Sequence, residues 1–290
     1  METIRTVAWM KQIAQDARLQ DRTLGLVPTM GALHEGHLSL IREAKKNCSP
    51  VVVSIFVNPK QFGPSEDFKK YPRRLDSDLS LLESLGVDCL FAPTAEEMYP
   101  HGFRTSVNVD GLSELFEGRS RPGHFRGVTT VVLKLFEIVQ PRFAYFGRKD
   151  AQQVRIIQQM TSDLNLDAQI VVCPIVREPD GLALSSRNAY VGGDDRRAAM
   201  ALYQGLDAVR REVTAGERDS VRLLAAFRRV IEAEPKVALD YAEIVDADTF
   251  ESVASLRRTC LVLVAAFVGG VRLIDNALVE QAGDSFQVTL

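Results

Sequence analysis

Cysteine is scarce in this chain. The four present, Cys48, Cys89, Cys173 and Cys260, are widely separated and form no Cys-x-x-Cys pair, which argues against a disulfide scaffold and against the common zinc ribbons and fingers. Three of them lie in apolar, strand-like runs, so all four read as buried free thiols of a protein kept in a reducing compartment. A charge excess of either sign is also missing. Lys and Arg number 35 against 38 Asp and Glu, a net charge of −3, so the chain has no global attraction for polynucleotides or anionic membranes. No apolar run approaches the roughly 20 residues needed to cross a bilayer. The first residues carry Glu2, Arg5 and Lys11 in place of an apolar signal core. The expectation is a soluble, cytosolic protein with neither a nucleic-acid nor a membrane partner.

What is present is an ordinary globular composition: 290 residues, 46% hydrophobic and 25% charged, enough for one large or two ordinary domains. Strand-like runs at 24–27, 51–57, 87–92, 105–109, 143–146 and 169–176 alternate with helical stripes such as Leu75, Leu79, Leu82, Leu85 and Val128, Val131, Val132, Leu135, Val139. That rhythm predicts an α/β domain with a Rossmann-like parallel sheet over residues 1–178. The run Val51-Val52-Val53-Ser54-Ile55-Phe56-Val57 has the uniform apolarity of a central strand covered on both faces. After Pro179-Asp180-Gly181 the character changes. A long helical region over 194–233 is followed by strand-like runs at 240–245, 260–268 and 271–274, the last two flanking Gly269-Gly270 as a hairpin. Residues 179–290 are therefore expected to form a smaller α+β domain, with the site where the domains meet.

Only four histidines occur, and two share one turn, in Pro28-Thr29-Met30-Gly31-Ala32-Leu33-His34-Glu35-Gly36-His37. A predicted strand ends here, and Leu38, Leu40, Ile41 and Ala44 continue with helical spacing. Unpaired N–H groups and the positive dipole end favour an anion at such a helix start, and Gly36 leaves room for a base or phosphate to approach. The plain reading is two surface histidines. Their place at the carboxyl end of a strand, where open α/β sheets bind ligands, favours the functional one. A zinc protease would need His-Glu-x-x-His, and these are one residue too close.

Four further clusters follow strands or precede helices. Asn58-Pro59-Lys60-Gln61-Phe62 puts two amides at the edge of the central strand, suited to a small hydroxy acid. Gly147-Arg148-Lys149-Asp150-Ala151-Gln152-Gln153 opens a helix, with Lys149 able to neutralise a phosphate and Asp150 to accept from ribose or cap the helix. Leu184-Ser185-Ser186-Arg187-Asn188 offers two hydroxyls and a guanidinium for a polyphosphate. The stretch Glu117-Gly118-Arg119-Ser120-Arg121-Pro122-Gly123-His124-Phe125-Arg126-Gly127 reads as a basic loop able to move over an anionic substrate.

In this joint order the motifs resemble the pantothenate synthetases, members of the His-x-Gly-His nucleotidyltransferase superfamily, and the likeness continues through Asp240-Tyr241 and Arg272-Leu273-Ile274-Asp275-Asn276. The resemblance implies an ATP-dependent ligase that joins pantoate to β-alanine through a pantoyl-adenylate, with Mg2+ accompanying ATP, and a homodimer formed through the first domain. It implies catalytic roles for His37, His34, Lys149, Ser185 and Arg187. It implies a nucleotide site made by Met30, Gly31, Ala32, Leu33, His34, Glu35, Gly36 and His37, by Gly147, Arg148, Lys149 and Asp150, and by Val176, Leu184, Ser185, Ser186 and Arg187. Gln61, Gln153 and Asn58 are assigned to pantoate, and Glu117 and Arg121 to a flap. Arg148, Ala151 and Gly270 depart from the pattern common in the family without removing a chemical group. Two other classes compete: a cytidylyltransferase-like enzyme, which would need no amine acceptor, and a nucleotide-binding module without chemistry.

Overall fold

A computed structural model describes residues 1–64, 66–283 and 285–290. The chain divides into two compact units, Met1–Arg148 with Gln152–Pro174, and Lys149–Ala151 with Ile175–Leu290.

The first unit holds β1 (Glu2–Ile4), α1 (Val7–Leu19), β2 (Gly25–Thr29), α2 (Glu35–Asn47), β3 (Val51–Ile55), α3 (Leu75–Ser84), β4 (Cys89–Phe91), α4 (Ala95–Met98), α5 (Phe116–Ser120), α6 (His124–Val139), β5 (Phe143–Gly147), α7 (Ala151–Asp163, whose first residue groups with the second unit) and β6 (Gln169–Cys173). Its six strands are all parallel in the order β1-β4-β3-β2-β5-β6. Val51, Val52 and Val53 have no exposed surface, as their uniform apolarity requires of a strand paired on both sides. Successive strands add on one side of β2 up to β4, whereas β5 lies on the other. The order therefore reverses between β2 and β5, and ligands of open α/β sheets bind beyond the carboxyl ends at such a point. The segment after β2 begins at Met30, and β5 ends at Gly147.

Two sequence expectations are corrected here. Residues 105–109 form no strand: Val107 N donates to Thr130 Oγ1 (3.0 Å) and Val107 O accepts from Thr129 Oγ1 (2.7 Å), so hydroxyls of α6 satisfy the backbone where a neighbouring strand would. The basic stretch at 117–127 is not an open loop. It is folded into α5 and the first turn of α6, with Glu117 and His124 buried.

The second unit contains α8 (Gly193–Ala198), α9 (Met200–Thr214), α10 (Ser220–Glu232), β7 (Val237–Asp246), β8 (Cys260–Val268), β9 (Val271–Ala282) and β10 (Ser285–Thr289), the strands forming an antiparallel sheet in the order β10-β9-β8-β7. The helical region at 194–233 is three helices, because Gly216 at φ +105° ends the second and Asp219 caps the third. The Gly269-Gly270 hairpin forms as expected, with positive φ at both residues. All four cysteines are free and buried. No helix among the described residues is long and apolar enough to cross a membrane.

Candidate active site

The turn after β2 is built on left-handed backbone. Gly31 has φ +80° and Ala32 φ +50°, and a Cβ on Gly31 would stand 3.0 Å from Ile55 and 3.1 Å from Asp78. The turn is fastened by Asp78, whose carboxylate accepts from Ala32 N (2.9 Å) and Leu33 N (2.8 Å). Asp78 is buried on α3, more so than Leu75 and Leu79 beside it. Burial raises its pKa against the pull of these two N–H groups and of Arg74. The motifs do not single it out, although a carboxylate on the apolar stripe of an amphipathic helix is a readable signal.

His34 is the cap of α2 in extended conformation, one residue earlier than a helix opening with both histidines would have it. Its Nδ1 accepts from Gly36 N (3.2 Å), and His37 Nδ1 accepts from His34 N (3.4 Å). A ring nitrogen that accepts a main-chain N–H carries no proton, so in the neutral rings both protons sit on Nε2. The rings lie 4.1 Å apart, centroid to centroid. Each ring thus carries its N–H on Nε2, while the main-chain N–H groups of His34, Gly36 and His37 are engaged within the turn itself. Glu35 is exposed and ion-paired with Arg42.

The cluster after β3 is a buried chain of hydrogen bonds. Asn58 Oδ1 accepts from Lys60 N (3.2 Å) and from Tyr99 Oη (2.8 Å), while its Nδ2 donates to Gly127 O (3.0 Å) and to Gln61 Oε1 (3.0 Å). Gln61 Nε2 then meets Met30 Sδ at 3.2 Å. A backbone N–H only donates and a carbonyl only accepts, so Lys60 and Gly127 fix the sense of the Asn58 amide, and that amide fixes the sense of Gln61. Gln61 presents a donor. Gly127 is packed so closely against this turn that a Cβ there would come within 2.2 Å of Lys60 O.

Behind Gln61, His124 Nδ1 contacts Gln61 O at 2.8 Å and its Nε2 contacts Arg121 Nη1 at 3.1 Å. The carbonyl can only accept and the guanidinium only donate, so the ring is neutral with its proton on Nδ1. Burial first, then the Arg121 charge, pushes its pKa down to about 4, against the pull of Gln61 O, Glu117 and Glu66. Arg121 is tied to Glu66 (Nη2 to Oε2, 2.6 Å). Burial alone would raise the Glu66 carboxyl, but this partner holds it low. A consequence is acid sensitivity of the fold. Between pH 6.5 and about 4 the unfolded chain takes up a proton at His124 that the folded chain refuses, so stability present above pH 6.5 is lost toward pH 4, on the order of 3 kcal/mol. Urea midpoints across that range should fall more steeply for the natural protein than for His124→Gln. Parallel curves would remove His124 from the account.

Gln153 is half-buried in the first turn of α7. Its neighbour Gln152, not singled out from the sequence, is buried, accepts from Glu117 N (3.1 Å) and donates to Leu112 O (2.8 Å) and Leu115 O (2.9 Å). Arg148 follows β5 at its carboxyl end.

The remaining expected residues lie in the second unit. Lys149 Nζ stands 3.7 Å from Asp150 Oδ2. Val176 and Leu184 are joined by Leu184 N to Val176 O (3.0 Å), across a tight turn through Gly181. That turn delivers Ser185, whose Oγ accepts from Arg187 N (3.2 Å) at the head of a 3-10 turn over Ser186–Tyr190. Asn188 donates to Glu178 (2.9 Å) and Ala183 O (3.1 Å). Lys149, Ser185, Asn188, Arg272 and Asp275 line one pocket.

Comparison with known proteins agrees over nearly the full length. The family model described as pantoate-beta-alanine ligase matches residues 2–278. The pantothenate synthetase of Thermotoga neapolitana is 52% identical over 278 residues, 96% of this chain and 99% of the relative. That of Acidobacterium capsulatum is 55% identical over 267 residues, 92% of this chain and 89% of the relative. The crystal structure of pantothenate synthetase from Thermus thermophilus superposes with a TM-score of 0.90 at 46% identity, covering 95% of this chain and 98% of that one. The pantoate-beta-alanine ligase of Francisella tularensis, complexed with beta-gamma ATP and beta-alanine, gives 0.79 at 36% identity, covering 95% and 97%. With the motifs, the sheet order and these likenesses in agreement, the chain belongs to the pantoate-beta-alanine ligase family.

Proposed function

We propose that this protein condenses pantoate with β-alanine at the expense of ATP, giving pantothenate, AMP and pyrophosphate through a pantoyl-adenylate. The observation that carries the reading is the histidine pair, both rings holding Nδ1 against main-chain N–H groups so that Nε2–H is the donor, at the carboxyl edge of β2 beside the reversal of strand order. The reaction joins two anions, so positioning and charge stabilisation dominate its barrier.

In the first step a pantoate carboxylate oxygen attacks the α-phosphorus of MgATP and the bond to pyrophosphate breaks. Magnesium enters as part of this substrate. His34 and His37 donate to phosphate oxygens as charge moves onto them, with His37 the favoured donor, and the segment Met30, Gly31, Ala32, Leu33, Glu35 and Gly36 shapes the cradle around them. Gln61 donates to pantoate and Gln153 joins it. Asn58 acts one bond further back, since its amide is used up on Gln61, Gly127 and backbone. In the second step the β-alanine amine, after losing its ammonium proton, attacks the acyl carbon, the bond to AMP breaks, and the nitrogen gives up a second proton as the amide forms. The family resemblance assigns Gly147, Arg148, Asp150, Val176, Leu184 and Ser186 to the nucleotide, and Lys149, Ser185 and Arg187 to its phosphates. We further propose a cytoplasmic homodimer: four buried free thiols suit a reducing compartment, and the resemblance supplies the dimer, which light scattering would test.

The deciding assay follows pyrophosphate from MgATP and pantoate with and without β-alanine, with pantothenate detected by mass. Pantothenate and AMP formed in equal amounts are expected. Pyrophosphate release that ignores the amine would point to a nucleotidyltransferase without an acceptor step, and ATP bound but never turned over would leave only a binding module.

A further inference from the structure

The Arg272-Leu273-Ile274-Asp275-Asn276 stretch of β9 carries three polar or charged side chains into the second unit, yet the reaction above uses none of them. Asp275 is buried and held in a two-pronged pair by Arg177, Nη1 to Oδ2 at 2.7 Å and Nη2 to Oδ1 at 3.0 Å. Its Oδ1 also accepts from Asn276 N (2.8 Å). Asn276, equally buried, donates from Nδ2 to the carbonyl oxygen of Lys149 at 3.0 Å. Arg177 also donates from Nη1 to Gly181 O (3.0 Å) in the turn that leads to Ser185, while its guanidinium stacks 5.2 Å from the Tyr203 ring. One buried ion pair therefore ties both the strand that holds Lys149 and the turn that delivers Ser185, and Lys149 and Ser185 line one pocket.

We propose that Asn276, locked by the Arg177–Asp275 pair, is a positioning residue for Lys149, fixing the backbone from which its ammonium group reaches nucleotide phosphate. This rests on the reading that Lys149 binds phosphate. Disturbing a buried polar network is costly in geometry as well as in stability, and a long, flexible lysine depends on a fixed backbone for the direction of its charge.

The test compares binding of a non-hydrolysable ATP analogue with binding of adenosine, which has no phosphate. Asn276→Asp keeps the shape but cannot donate to Lys149 O. It should weaken the ATP analogue about tenfold, the scale of one charged contact, and leave adenosine within about twofold. Asn276→Ala serves the same comparison if the aspartate variant does not fold. Lys149→Ala should show the same selective loss, and the double variant should lose little beyond Lys149→Ala alone, since both changes remove one interaction. If Lys149→Ala loses analogue affinity and a folded Asn276 variant does not, the positioning role is overturned. Equal weakening of analogue and adenosine overturns it too, because that is what a purely structural role produces. If Lys149→Ala binds the analogue normally, the phosphate reading fails first and takes the positioning role with it.

Discussion

Replacing His37 by alanine is expected to slow pyrophosphate release by about two or more orders of magnitude while ATP affinity moves only a few-fold, the pattern of a donor that works in the transition state. The reason lies in the proton. His37 Nδ1 is occupied by His34 N, so Nε2 carries the hydrogen and its direction is set by a main-chain contact. A donor aimed in advance costs nothing to reorganise as charge builds on the phosphate oxygens. The substitution also removes the partner of His34 N, one of the N–H groups that a helix start leaves unsatisfied, so a loss of stability on the order of 1 kcal/mol accompanies it. Thermal melts separate that loss from the kinetic one. A folded His37→Ala protein that turns over at a near-normal rate would sink the assignment.

Gln61→Glu should be the most damaging conservative change on the pantoate side. The natural amide has its oxygen engaged by Asn58 Nδ2 and its nitrogen against the Met30 thioether, a weak acceptor that a substrate oxygen can displace. Glutamate keeps the first bond and replaces the donor with a charged oxygen facing an incoming carboxylate. We expect kcat/KM for pantoate to fall by about a thousandfold, and further than in Gln61→Ala, because repulsion is added to the lost bond. ATP binding, measured without pantoate, should change little. Were glutamate tolerated better than alanine, Gln61 would be presenting its oxygen, and the chain of amides from Gly127 through Asn58 would run in the opposite sense.

Several parts of the candidate site can be read directly from the chain. The histidine turn, the Asn58 and Gln61 pair and the Ser185 loop are short local patterns, and each lies where a strand or turn ends. The contacts that only the fold reveals join residues across long sequence separations. Asp78 fastens a turn 45 and 46 residues away, Tyr99 reaches Asn58 over 41, and Asn276 reaches Lys149 over 127. The strand expected at 105–109 fails for the same reason. Its β-like composition is real, but the partner of Val107 is a pair of threonine hydroxyls on α6 rather than a neighbouring strand.

The sequence by itself therefore determined the parallel α/β unit, the following α+β unit with its Gly269-Gly270 hairpin, and the chemical groups at the strand ends, because periodicity, turn chemistry and capping depend on neighbours a few residues apart. The tertiary structure alone decided where those groups point. Which nitrogen of His34, His37 and His124 carries the proton, and which end of the Gln61 amide faces outward, depends on hydrogen-bond partners brought together by folding, and a buried polar group takes its orientation from the partner that satisfies it.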